Sequence, residues 1–138
     1  MRRAILSFIA AFSLGLPGLA QDGLAQGNPI AQVIADQIAA LRVDDFETAF
    51  SYASPGIKHI FGTPERFGRM VREGYPMVHR PAEVVMLDQT ARGSEVIQRV
   101  MMRDAGGRLH ILAYAMVETP EGWRINGVQI LQAPEVGA

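Results

Sequence analysis

The hydrophobic period changes near residue 75, and this change limits the fold more than any other feature. Before it, apolar residues recur at helical spacing. Ile30, Val33, Ile34, Ile38 and Leu41 fall at i, i+3, i+4, i+8 and i+11, one stripe of a helix running to about Leu41. Asn28-Pro29 sets an N-cap and a proline at the first helical position. Asp44, with Glu47 three residues on, reads as the cap of a second helix burying Phe46, Ala49, Phe50 and Ala53. Ser54-Pro55 opens a short helical turn carrying Ile57, Ile60 and Phe61. Thr63-Pro64 opens a third helix that Gly74 closes.

After Tyr75 the period becomes two. Tyr75-Pro76 and Arg80-Pro81 each place an extended residue before proline, so the stretch between them cannot be a central strand. Residues 82–87, 95–103, 108–118 and 123–132 read as strands. Residues 88–93, Gly106-Gly107 and residues 119–122 read as turns. Helices first and a strand meander second predict an α+β domain. Its N-terminal helices pack on one face of a curved antiparallel sheet of about four strands.

The first twenty residues stand apart. Met1-Arg2-Arg3 is basic, Ala4 to Leu16 is apolar and uncharged, and Pro17-Gly18 would break a helix. Gly18-Leu19-Ala20 supplies small residues for a cut after Ala20, with a second such site ending at Ala25. This is the pattern of a signal peptide, and the apolar run is shorter than the about 20 residues a spanning anchor needs. The expectation is a periplasmic or secreted protein with no stable membrane anchor, by either the general or the twin-arginine route. Residues 21–28 read as a disordered lead, 29–133 as the single domain and 134–138 as a tail. Losing residues 1–20 removes Arg2 and Arg3 and no acid. Of 13 basic and 14 acidic residues, 11 and 14 remain, a net charge near −3. Such a balance gives no footing to nucleic acid or an anionic membrane. The chain has no cysteine, which excludes disulfides, thiolate chemistry and cysteine-held metal.

Motifs for chemistry are sparse. His59, His79 and His110 lack metal-ligand spacing, so no metal and no cofactor is expected. No nucleophile elbow, phosphate loop or dinucleotide fingerprint occurs. Arg66, Arg69 and Arg72 lie opposite Phe67, Met70 and Val71, where a solvated helix face belongs. His79, beside Arg80 between the two prolines, is the one candidate general base. With Gly106-Gly107 as a two-residue turn, Val96, Val100 and Met102 share the helix-facing side with Ile111, Ala113, Ala115 and Val117. Met101, Leu112, Tyr114 and Met116 then face outward and are candidates for a homodimer face. A three-residue turn would exchange these partners. Gln98 and Asn126 would point to the apolar side, either bonded to helix ends and loops or lining a pocket.

The stretch FETAFSYASPGIKHIFGTPERFGRMVREGYPMVHRPAEV, residues 46–85, and the closing WRINGVQI, residues 123–130, resemble an exported bacterial family called domain of unknown function 4864. The likeness covers roughly residues 30–132. It implies a cone like that of nuclear transport factor 2 and the SnoaL-like proteins, a fold that hosts isomerases, dehydratases and non-catalytic modules alike. No activity comes with the resemblance, and the predicted strands carry no Asp–His pair. The function expected is a non-catalytic module whose cone holds a small apolar or weakly anionic ligand, with Tyr75, His79, Arg80, Gln98 and Asn126 as binding candidates. The alternatives are an isomerase or dehydratase with His79 as base, and a purely structural or dimerisation domain.

Overall fold

A computed structural model describes residues 27–132. The expectations for the signal peptide, most of the lead and the tail fall outside this range. Among the described residues five helices lead into the sheet: α1 (Pro29–Arg42), α2 (Phe46–Ser51), α3 (Pro55–Phe61), α4 (Pro64–Gly74) and α5 (Pro76–His79). Four strands follow: β1 (Glu83–Arg92), β2 (Glu95–Arg103), β3 (Leu109–Thr119) and β4 (Gly122–Gln132). Each strand pairs antiparallel with the next, in the order β1-β2-β3-β4. The class is α+β, as the change of period predicts.

Three of the expected caps form as read. The Asn28 side chain accepts from the backbone N–H of Ile30 and Ala31, that of Ser54 from Ile57, and that of Thr63 from Arg66. Each satisfies amide hydrogens that a helix start leaves without partners. Proline follows every one of them, where its missing N–H costs nothing. Pro76 to His79 form the single turn α5 rather than an extended stretch. Tyr75 and Arg80, each before a proline, leave the helical region, but with ψ of 56° and 70° neither is fully extended.

The cap of α2 is Asp45, not Asp44: Asp45 accepts from the Thr48 N–H at 3.2 Å. Asp44 instead ends α1. Its φ is +58°, its N–H donates to the Leu41 carbonyl, and the N–H of Asp45 donates to that of Ala40. This pair of bonds closes a helix through a left-handed residue, a position where aspartate is one of the better-tolerated side chains. The Asp44 carboxylate is thereby left free to reach α5.

The hairpin between β2 and β3 corrects the expected register. Asp104 pairs across to Arg108, and Ala105, Gly106 and Gly107 form a three-residue loop with Gly107 at φ +90°. Asp104 Oδ1 accepts from the N–H of both Gly106 and Arg108, at 2.9 Å each. Gln98 therefore faces Tyr114, Val100 faces Leu112, and Met102 faces His110. Leu112, Tyr114 and Met116 are fully buried in the core with Ile34, Leu41, Val100 and Met102. They are not a dimer face. Met101 alone of the four lies on the outer side, in a cross-strand row with Val85 and Ile111.

β1 runs through the expected turn to Arg92, with a bulge between Met86 and Gln89. Gly93, at φ +62°, and Ser94 make the connection to β2. Beyond β4 the chain adds one more pairing. Ile125 donates to the Tyr52 carbonyl and accepts from the Ser54 N–H, a parallel bridge that ties the α2–α3 link to the free edge of the sheet. That tie sets α3 beside β4 and opens the space described next.

Candidate functional site

An apolar cavity of about 310 Å³ lies between the helices and β4. Ile57 and Phe61 of α3, Phe67, Met70 and Val71 of α4, and Val78 of α5 form one wall. Ala53, Ile125, Gly127 and Val128 form the other. Gln37 of α1 and Tyr75 bring polar side chains to it. The aromatic residues do not fill the space. Phe50 packs tilted on Phe67 at 5.3 Å between centroids, and Phe61 meets Phe67 edge-on at 6.0 Å, so Phe61 and Phe67 line the cavity. A volume near 300 Å³ with apolar walls and few polar groups is at the small end of ligand sites.

The sequence-derived site residues divide. Tyr75 lines the cavity, and its hydroxyl donates to the Val128 carbonyl at 3.0 Å. His79 and Arg80 are not in the wall. His79 Nε2 lies 2.7 Å from Asp44 Oδ1, and Arg80 reaches the same oxygen at 3.0 Å. The His79 bond, seconded by Arg80, holds the Asp44 carboxyl below the usual carboxylate range. The His79 ring also lies 6.1 Å from that of Phe46. An Asp–His pair thus exists, but it joins the end of α1 to α5, and neither residue is in the cavity wall. Periodicity could not show it, because its partners are 35 residues apart.

Gln98 and Asn126 serve the sheet. Gln98 is buried and repairs the β1 bulge: Nε2 donates to the carbonyls of Leu87 at 3.0 Å and Arg99 at 2.8 Å, and Oε1 accepts from Gln89 at 2.7 Å. Asn126 accepts from the Ser54 hydroxyl at 2.7 Å and donates to Glu95 at 2.9 Å, fastening the start of α3 to β4 and β2. Neither lines the cavity. Gln37, which is not among the sequence-derived candidates, does. Its signal was a polar residue at position 37, directly before Ile38 of the α1 apolar stripe.

Arg66, Arg69 and Arg72 are exposed as expected, with the Arg72 guanidinium 5.0 Å from the centre of the Phe46 ring. Among the described residues no group of three His, Asp or Glu side chains is gathered as a metal set requires. No helix among them is long and apolar enough to cross a membrane.

Three carboxylates held by hydrogen bonds, Asp104, Asp88 and Asp44, are expected to make the fold sensitive to acid. Asp104 is held below its ordinary value chiefly by the hydrogen bond from His110 Nε2 at 2.9 Å, then by the loop amides of Arg108 and Gly106. Asp88 is lowered chiefly by Arg99, and Asp44 by His79. A carboxyl whose folded value lies below its unfolded one binds fewer protons in the native state. Its contribution is whole above the unfolded value near 4 and is lost as pH falls through the folded one. Urea midpoints are therefore expected to hold from pH 7 to about 5 and to drop below about 4. Asp104→Asn should be less stable at pH 7 and lose less between pH 5 and 3. An equal pH response in the parent and this variant would refute the role of Asp104.

Comparison with curated protein sequences finds no match. A family model, that of a domain of unknown function (DUF4864), matches residues 24–138. That span takes in all five helices and all four strands, and the chain belongs to this family.

Proposed function

We propose that this protein is an exported, non-catalytic binding module whose cavity takes one small, uncharged, mostly apolar ligand. The observation that carries the reading is the cavity itself, set between α3, α4 and β4 with no charged side chain of the described residues in its wall. Burial of apolar surface would supply most of the affinity, at about 25 cal/mol per Å² before the cost of association. Export is inferred from the pattern of residues 1–20, and a cone of the nuclear transport factor 2 type from the order of helices and sheet. The homodimer stays part of the proposal and rests on the outward row of Val85, Met101 and Ile111.

Two earlier expectations lose ground. An anionic ligand held by Arg80 is disfavoured, since Arg80 is paired with Asp44 outside the wall. The isomerase or dehydratase reading needs a base within reach of substrate, and His79 is not in the cavity wall.

Native mass spectrometry of protein purified from its host tests the reading. An added mass lost on denaturation is the expected result. A ligand at a hundredfold excess over Kd should also raise stability by about 2.7 kcal/mol. An empty protein that no member of a panel of neutral apolar metabolites stabilises would end the proposal.

A further inference from the structure

We infer that the ligand carries a hydrogen-bond donor, a hydroxyl or N–H group, which meets the side-chain oxygen of Gln37. The inference rests on the binding reading above and narrows it to a chemical class. Gln37 is 4% exposed and lines the cavity from α1. Its orientation is fixed by need. The Ala49 carbonyl can only accept, so the amide nitrogen must face it, and does so at 3.1 Å. The amide oxygen is left as an acceptor, and no donor among the described residues reaches it. That oxygen is not one of the fully buried unpaired atoms, so the demand arises on binding. A ligand that fills the cavity shuts water out, and an amide oxygen then left without a donor is costly.

Tyr75, the other polar side chain in the wall, tells the same way. Its hydroxyl hydrogen is committed to the Val128 carbonyl, so toward the cavity its oxygen can only accept. Tyr114, whose buried hydroxyl has no partner, is not in the wall and adds no donor there. Apart from the second N–H of Gln37, the polar side-chain atoms in the wall are therefore acceptors, set in apolar surroundings. A neutral alcohol, phenol or indole-type N–H compound fits them. An ether or ketone of equal size would leave the Gln37 oxygen unmet, and a carboxylate would find no cation.

The test compares three probes of similar shape on the intact protein by fluorescence titration: 1-naphthol, naphthalene and 1-methoxynaphthalene. In a cavity without an acceptor the naphthol hydroxyl loses its hydration for nothing, and naphthalene binds best. With Gln37 as acceptor, naphthol is expected to bind roughly 3- to 10-fold more tightly than either. Gln37→Leu should abolish or reverse that preference, with naphthalene affinity kept. Gln37→Met serves if the leucine variant does not fold, and the wild-type series decides the question without either. Equal or tighter binding of naphthalene or the methyl ether would overturn the donor requirement and leave the cavity reading intact. Binding of none of the three would overturn both. A naphthol preference undiminished in a folded Gln37 variant would remove Gln37 from the assignment.

Discussion

Tyr114→Asp is expected to unfold the domain, not to divide a dimer. Tyr114 has no exposed surface and sits between Gln98 of β2 and Val128 of β4. Burial already pushes its hydroxyl well above the ordinary tyrosine value, because nothing nearby would stabilise a charge there. An aspartate at the same place must leave water unpaired or take up a proton, and it also gives up the volume of an aromatic ring. Changes of this kind cost more than about 4 kcal/mol, a large share of a small domain's stability. Circular dichroism and urea unfolding decide the matter. A folded Tyr114→Asp protein with the parent midpoint would restore Tyr114 to the surface and overturn the observed register. Tyr114→Phe provides the contrast. The hydroxyl is buried with no partner, so removing it should leave stability unchanged or raise it by about 1–3 kcal/mol. The same exchange would cost stability if the hydroxyl were bonded.

The register at stake in that experiment was open in the sequence for a definable reason. Gly106-Gly107 permits a two-residue or a three-residue loop, and the choice sends every β3 side chain to one face or the other. A signal for the longer loop was present: aspartate at the first position of a type I turn and glycine at the fourth, here Asp104 and Gly107. The Asn28, Ser54 and Thr63 caps were legible because a cap is made within four residues. The Asp44–Asp45 pair was not, since either can cap, and contacts with His79 and Arg80 decide which does. Tyr75, a binding candidate in the sequence, is a residue of the cavity wall, and the proline that follows it marks where α4 gives way to α5. Gln98 and Asn126 were rightly taken from the alternation as needing partners. Which partners they find depends on the β1 bulge and the Tyr52–Ser54 bridge, neither of which leaves a periodic trace. The cavity is likewise a product of three-dimensional spacing, set by how far α3 and α4 stand from β4.

Gly68→Ala is expected to destabilise the protein, against the helix preference of the residues concerned. Gly68 lies inside α4, where alanine is favoured over glycine by about 1 kcal/mol when nothing else intervenes. Here a Cβ would come within 2.7 Å of Cγ and Cδ1 of Phe46. Those atoms lie close to the backbone of α2 and cannot swing aside as a side-chain tip can. The ring is hemmed further by the Arg72 guanidinium 5.0 Å from its centre and by the His79 ring. Relief therefore requires α2 and α4 to separate. Overpacking of this sort costs about 1–3 kcal/mol, so the net loss should be up to about 2 kcal/mol once propensity is credited. Gly74→Ala supplies the control, because at the end of the same helix a Cβ would meet nothing within 4 Å. It should be neutral or slightly stabilising. A second check is the pair Phe46→Ala and Gly68→Ala. Removing the ring makes room for the methyl group, so the double variant should be more stable than the sum of the two single losses implies. Urea midpoints for the four proteins measure this directly. If Gly68→Ala alone proves as stable as the parent, the close approach of α2 and α4 is not what glycine serves at this position.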